Sequence, residues 1–95
     1  MPAYLFVAVT YEDKACTEAY RRDVPALIAA HGGRYMAISH AAERLEGEEE
    51  MPHTIAILEF PTAAAAKAML TSPEYQPYAQ ARQAGAKTTM YLLAG

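Results

Sequence analysis

A single cysteine, Cys16, rules out an internal disulfide, and any zinc site would have to be assembled without paired thiolates. Standing in a predicted helix, Cys16 reads as a small apolar packing residue rather than a nucleophile. Positive charge is also scarce. Eight Lys and Arg stand against eleven Asp and Glu, for a net charge of −3. The cations, among them Lys14, Arg21, Arg22, Arg44, Lys67 and Lys87, are dispersed, so the basic stripe that a phosphate backbone needs is missing and no nucleic-acid partner is expected. No apolar run reaches transmembrane length and no charged-then-apolar leader with a small-residue cleavage site opens the chain. The expectation is therefore a cytoplasmic protein with no membrane partner.

What is present is one domain's worth of chain, residues 1–95, with one hydrophobic core. A domain this short buries about 60–65% of the surface its unfolded chain exposes. With 53% hydrophobic residues, part of the apolar surface is expected to meet a partner.

Along the chain, Ala3 to Tyr11 is rich in β-branched and aromatic residues and apolar on both alternating faces, which reads as a strand covered on both sides. Asp13 offers an N-cap, and Tyr20, Val24, Leu27, Ile28 and His31 recur at helical steps until Gly32-Gly33 ends the pattern. Pro25 falls inside this helix and predicts a kink between two segments. Arg34 to His40 reads as a second strand, expected to resume through Glu43–Glu46 after an irregularity near His40–Ala42. His53 to Phe60 reads as a third. Between these two, the acidic run Gly47–Pro52 has the polarity and punctuation of a solvated hairpin tip. Pro61-Thr62 caps an alanine-rich helix through Leu70. Ser72-Pro73-Glu74 predicts the start of another helix, with Tyr75, Tyr78 and Arg82 at helical spacing and Pro77 disturbing its first turn. Lys87 to Ala94 closes the chain as a fourth strand.

Strand, helix, strand, strand, helices, strand is the order of an α+β, ferredoxin-like βαββαβ fold, with a four-stranded antiparallel sheet and its helices on one face. Whichever residues alternate onto the other face, large apolar groups are among them. The resulting patch approaches or exceeds the ~300–600 Å² that monomers tolerate. The chain is therefore expected to be its own partner, in a homodimer whose sheets face each other.

Several blocks are similar to one known family: Pro2-Ala3-Tyr4, the run from Val24 to Tyr35 with its His-Gly-Gly-Arg-Tyr, then Leu45-Glu46-Gly47, Leu58-Glu59-Phe60-Pro61 and Ser72-Pro73-Glu74-Tyr75. They resemble the family known as domain of unknown function 1330. The resemblance runs over nearly the whole chain and implies the dimeric α/β-barrel superfamily, which includes cofactor-free monooxygenases, small isomerases, haem-degrading enzymes and dimeric stress proteins. Met69-Leu70 stand where the family pattern commonly has an aromatic pair, and Ser39-His40 where glycines often occur.

Candidate site residues follow from residue type and position. Arg34 would sit near one mouth of the barrel that the resemblance implies, and its guanidinium suits it to anchor an anion. Glu59, between Leu58 and Phe60, is a candidate base unless an arginine meets it, and Arg34 could be that arginine. If the hairpin between strands two and three is short, Glu59 would instead lie opposite His40, the carboxylate and imidazole pairing of a general base. A cross-strand ion pair is the structural alternative. Tyr35 and Tyr4 are candidate contacts for a planar ligand, core packing being the other reading. His31 reads as a helix cap or a catalytic imidazole. His40 and His53 lack a third ligand, so no metal is expected, and no cofactor. Two functions remain open: a cofactor-independent isomerase, dehydratase or oxygenase acting on a small apolar or carboxylated molecule, or a non-catalytic ligand-binding or stress-associated dimer.

Overall fold

The run of alternating apolar residues that opens the chain becomes β1, Ala3–Tyr11, in which Ala3, Leu5, Val7 and Val9 are buried and the residues between them half-buried. The computed structural model describes residues 1–94, and all their side chains except those of Lys14 and Cys16. A 3-10 turn, Lys14–Thr17, leads into α1, Glu18–Ala30; β2 spans Arg34–Ser39, β3 Thr54–Phe60, α2 Ala63–Thr71, α3 Gln76–Gly85 and β4 Ala86–Ala94. The strands form one antiparallel sheet in the order β2-β3-β1-β4. β1 is thus a central strand, paired on both edges; its Leu5 face is buried and its Phe6 face lies on the open side of the sheet.

Cross-strand partners place Leu5 opposite Leu58 and Leu92, and Val7 opposite Ala56 and Met90. This face meets the helices, and the core between them includes the fully buried Val24, Ile28, Phe60, Met69 and Tyr75. Burying a side chain of that size stabilises the fold by about 1.5–3 kcal/mol.

Local signals are satisfied by short-range bonds. Asp13 caps the 3-10 turn by accepting from Ala15 N at 3.0 Å, and Thr62 caps α2 by accepting from Ala65 N at 3.0 Å. At the end of α1 the Gly33 N–H donates to Ile28 O at 2.8 Å and the Gly32 N–H to Ala29 O at 3.0 Å. This paired closure needs a left-handed residue, supplied by Gly32 at φ +79°. His31 turns its ring back, donating from Nδ1 to Leu27 O at 2.9 Å, as a capping residue would.

Three expectations are corrected. β2 does not resume beyond Ser39: its pairing runs from Arg34↔Glu59 to Ser39↔Ile55, β3 begins at Thr54, and Pro52 has no N–H with which to extend the ladder to residues 43–46. Instead an exposed, non-regular connection, residues 40–53, carries the acidic run. Nor does α1 divide at Pro25. The helix is continuous there, and the change of helix type comes between Thr17 and Glu18. Pro25 and Arg21 are exposed, so water can serve the carbonyl that the proline leaves unbonded. Ser72 does not start α3; its hydroxyl donates to Met69 O at 2.7 Å and closes α2. The next helix begins at Gln76, with Pro77 in its first turn where a missing N–H costs nothing.

Candidate functional site

Helices lie over β1, β3 and β4 more fully than over the edge strand β2, where Tyr35 and Ile38 turn toward the helix side yet remain partly exposed. Under that edge is a partly enclosed cavity of about 80 Å³, floored by Leu5, Val7, Ala56 and Leu58, with Tyr35 and Ile38 on the β2 side and Tyr20 and Arg82 from the helices. Its lining is overwhelmingly apolar.

Several elements bring polar groups to this cavity. From α1, the Tyr20 hydroxyl meets that of Tyr75 at 2.7 Å, their rings edge to face with centroids 5.9 Å apart. Burial above all, reinforced by Tyr75, pushes the Tyr20 phenol far above the usual tyrosine range. Burial likewise raises Tyr35, with Tyr75 contributing. Both hydroxyls therefore stay protonated at neutral pH, and in the Tyr20–Tyr75 bond either oxygen can donate. From α3, Arg82 is 6% exposed, its guanidinium carbon 5.7 Å from the centroid of the Tyr20 ring, and its Nε has no hydrogen-bond partner.

A further polar group is Thr54, a buried hydroxyl at the start of β3. It joins Tyr11 Oη at 3.2 Å to His40 Nδ1 at 2.9 Å. His40 lines an outer groove of about 510 Å³ that shares Tyr11, Arg21 and Thr54 with the cavity. On the groove side His53 stacks on Tyr11, ring centroids 5.8 Å apart, and its Nδ1 accepts the Tyr11 N–H at 2.9 Å, so that nitrogen carries no proton.

The five expected site residues divide between the two faces of the sheet. Tyr35 lines the cavity and His40 reaches it through Thr54. Arg34 and Glu59 are cross-strand partners on the open face, Nε donating to Oε1 at 2.9 Å, and Tyr4 lies opposite Glu59 on β1. The register thus puts Arg34, and not His40, across from Glu59. Thr54, Tyr20 and Arg82 were not singled out for chemistry. The signals were a threonine at an inward strand position and an arginine seven residues after Tyr75 on the apolar stripe of α3. Among the described residues, no group of three or more His, Cys, Asp or Glu is placed to hold a metal, and no helix is long and apolar enough to cross a membrane.

The family model described as domain of unknown function (DUF1330) matches residues 2–95. The chain belongs to this family. No functionally curated protein matches it. Among solved structures, this DUF1330 chain is similar to a protein of unknown function from Rhodopseudomonas palustris, with a TM-score of 0.85 and 22% identity over 99% of this chain and 82% of that one. It is also similar to SnoaB, described as a cofactor-independent oxygenase from Streptomyces nogalater, with a TM-score of 0.68 and 17% identity over 99% and 92% of the two chains. A third, described as a dimeric ferredoxin-like protein of unknown function from Jannaschia sp., gives a TM-score of 0.67 and 16% identity over the whole of both. At these identities the likeness establishes the fold: ferredoxin-like, with an open sheet.

Proposed function

We propose that the protein binds a small, mainly apolar molecule in the cavity between the sheet and its helices, and transforms it without a cofactor as an isomerase, dehydratase or oxygenase. The observation that carries this is the hydrogen-bonded chain from His40 through Thr54 to Tyr11, which links the outer groove to an apolar cavity bordered by protonated phenols.

Proton abstraction from carbon needs a base near neutral pKa and donors aimed at the oxygen where charge develops. His40 is the base in this reading, acting through the Thr54 hydroxyl, and Tyr20 and Tyr35 are the donors. An enolate formed there would isomerise on reprotonation, expel a β-hydroxyl, or react directly with dioxygen. The description of SnoaB as a cofactor-independent oxygenase supports the last course.

The open face belongs to a second copy of the chain in the same reading. Phe6, Ile55 and Ile57 are only half-buried there, while Tyr91 and Leu93 are 63% and 53% exposed. Description of a structural neighbour as dimeric supports the assembly. Arg34, Glu59 and Tyr4 are then polar members of the facing surfaces.

Oxygen uptake and deuterium exchange with a panel of quinols, lactones and hydroxy acids test the proposal. Turnover that falls at least ~10-fold in Thr54→Val and His40→Gln, with ligand binding retained, is the expected result for a lost acid–base group. Binding without turnover by the unaltered chain would make it a non-catalytic binding dimer, and absence of both would remove the cavity from consideration.

A further inference from the structure

We infer that the ligand of the cavity is a small monocarboxylate, received by the guanidinium of Arg82. The inference rests on the cavity being the ligand site and assigns the chemical class of what enters it.

Among the described residues, Arg82 is the buried cation. It is 6% exposed and borders the apolar cavity. Removing a guanidinium from water is costly unless a charge or hydrogen bonds replace the solvent, yet among the described residues no carboxylate pairs with it and its buried Nε has no acceptor. Two carboxylates of the chain are engaged by other arginines. Asp23 binds Arg22 at 3.0 Å and accepts from the Tyr78 hydroxyl at 3.0 Å, and Glu59 binds Arg34 at 2.9 Å.

The contact Arg82 does have is with a ring. Its Cζ stands over the Tyr20 ring, 5.7 Å from the centroid. A cation over a ring is attracted to it, but that attraction gives the buried Nε–H no acceptor. The N–H groups of a guanidinium are the donors that grip a carboxylate, with two parallel bonds.

Size and polarity narrow the anion further. About 80 Å³ of cavity is less than the ~150 Å³ that encloses benzene, so the enclosed space takes a carboxylate with a short apolar body. Anything longer extends past Tyr11 and Thr54 into the groove. With one buried cation and an apolar lining, a phosphate dianion would keep a charge unmet. Arg21, exposed at the mouth shared by cavity and groove, adds a second positive charge along the way in.

The test uses the full chain, labelled with nitrogen-15, titrated at pH 7 with 3-methylbutanoate and 2-methylpropanoate and, in parallel, with their neutral amides. The acids are expected to move the Arg82 Nε–H resonance and to bind at least ~10-fold more tightly than the amides, the scale of a charge-assisted pair over a neutral bond. In Arg82→Met the acids should fall to the affinity of the amides while amide binding persists. Equal binding of acid and amide, or an unmoved Nε–H resonance, would overturn the carboxylate inference and leave the cavity reading standing. Failure of all four compounds at millimolar concentration would sink both. Should Arg82→Met not fold, the wild-type titration decides alone.

Discussion

Gly33 leaves the space that the ring of Phe60 occupies: a β-carbon at position 33 would stand 2.6 Å from Phe60 Cε1 and 2.8 Å from Ile28 Cγ2. Both neighbours are fully buried, so neither can swing into solvent. The constraint is one of space, since the positive φ belongs to Gly32. Gly33→Ala should lower stability by about 1–3 kcal/mol, the usual cost of overpacking a tight core. Urea unfolding measures it, and an unchanged midpoint would show that β2 can move away from Phe60.

Arg34→Ala should have little effect on the isolated chain. Its partner Glu59 is a quarter exposed and its own side chain two-thirds exposed, a setting in which ion pairs contribute roughly 0–1 kcal/mol. A loss above ~2 kcal/mol in thermal unfolding would mean that the pair is shielded from water, as it would be under a second copy of the sheet.

That second copy has its own test. Phe6 and Ile57 are cross-strand partners on the open face, and a facing sheet would remove their exposed area from water at roughly 25 cal/mol per Å². Ile57→Asp or Phe6→Asp is expected to yield monomers or unfolded chain. Light scattering that returned a stable monomer of 10.4 kDa for the unmodified protein would end the dimer proposal.

A pH effect follows from the junction of α1 and α3. Hydrogen bonds from Arg22 and then Tyr78 hold the Asp23 carboxyl below its usual range, and the same bond to Asp23 raises the Tyr78 phenol. A depressed carboxylate contributes stability above its unfolded pKa and loses it as pH falls through the folded one. A raised phenol contributes below its unfolded pKa and loses it as pH rises through the folded one. The contact is therefore intact between the ordinary carboxylate and tyrosine ranges. Carbon-13 titration of Tyr78→Phe should show Asp23 moving up toward its usual value; no movement would assign the depression to Arg22 alone.

Element order was legible in the chain because alternation, helical stripes and capping residues such as Asp13, Thr62 and Gly32 act locally. The face of the sheet was not. A bulge between Tyr35 and Ala37 depends on pairing with β3, a non-local matter: alternation would put these two residues on one face, but they lie opposite Leu58 and Ile57, on opposite faces. The site was half legible for the same reason. His40 and Tyr35 reach the cavity, while Arg34, Glu59 and Tyr4 are carried to the opposite side by register. Arg82 stood at helical spacing with Tyr75 and Tyr78 but carried no chemical reading, because an arginine on a helix ordinarily extends into water; its 6% exposure and its place over Tyr20 show that this one is enclosed.

The bulge gives the edge strand an unusual tolerance to change in length. Removing one residue from a strand ordinarily flips every following side chain to the other face. Here Met36 is the surplus residue opposite β3. Its deletion would leave Arg34↔Glu59, Tyr35↔Leu58, Ala37↔Ile57, Ile38↔Ala56 and Ser39↔Ile55 as they stand, now in a regular ladder. Kept in a ladder without the bulge, the same sequence would send Ile38 out to the open face and away from the cavity. One spare residue in β2 thus sets the phase of the strand, deciding whether Ile38 belongs to the lining of the pocket or to the surface offered to a second copy.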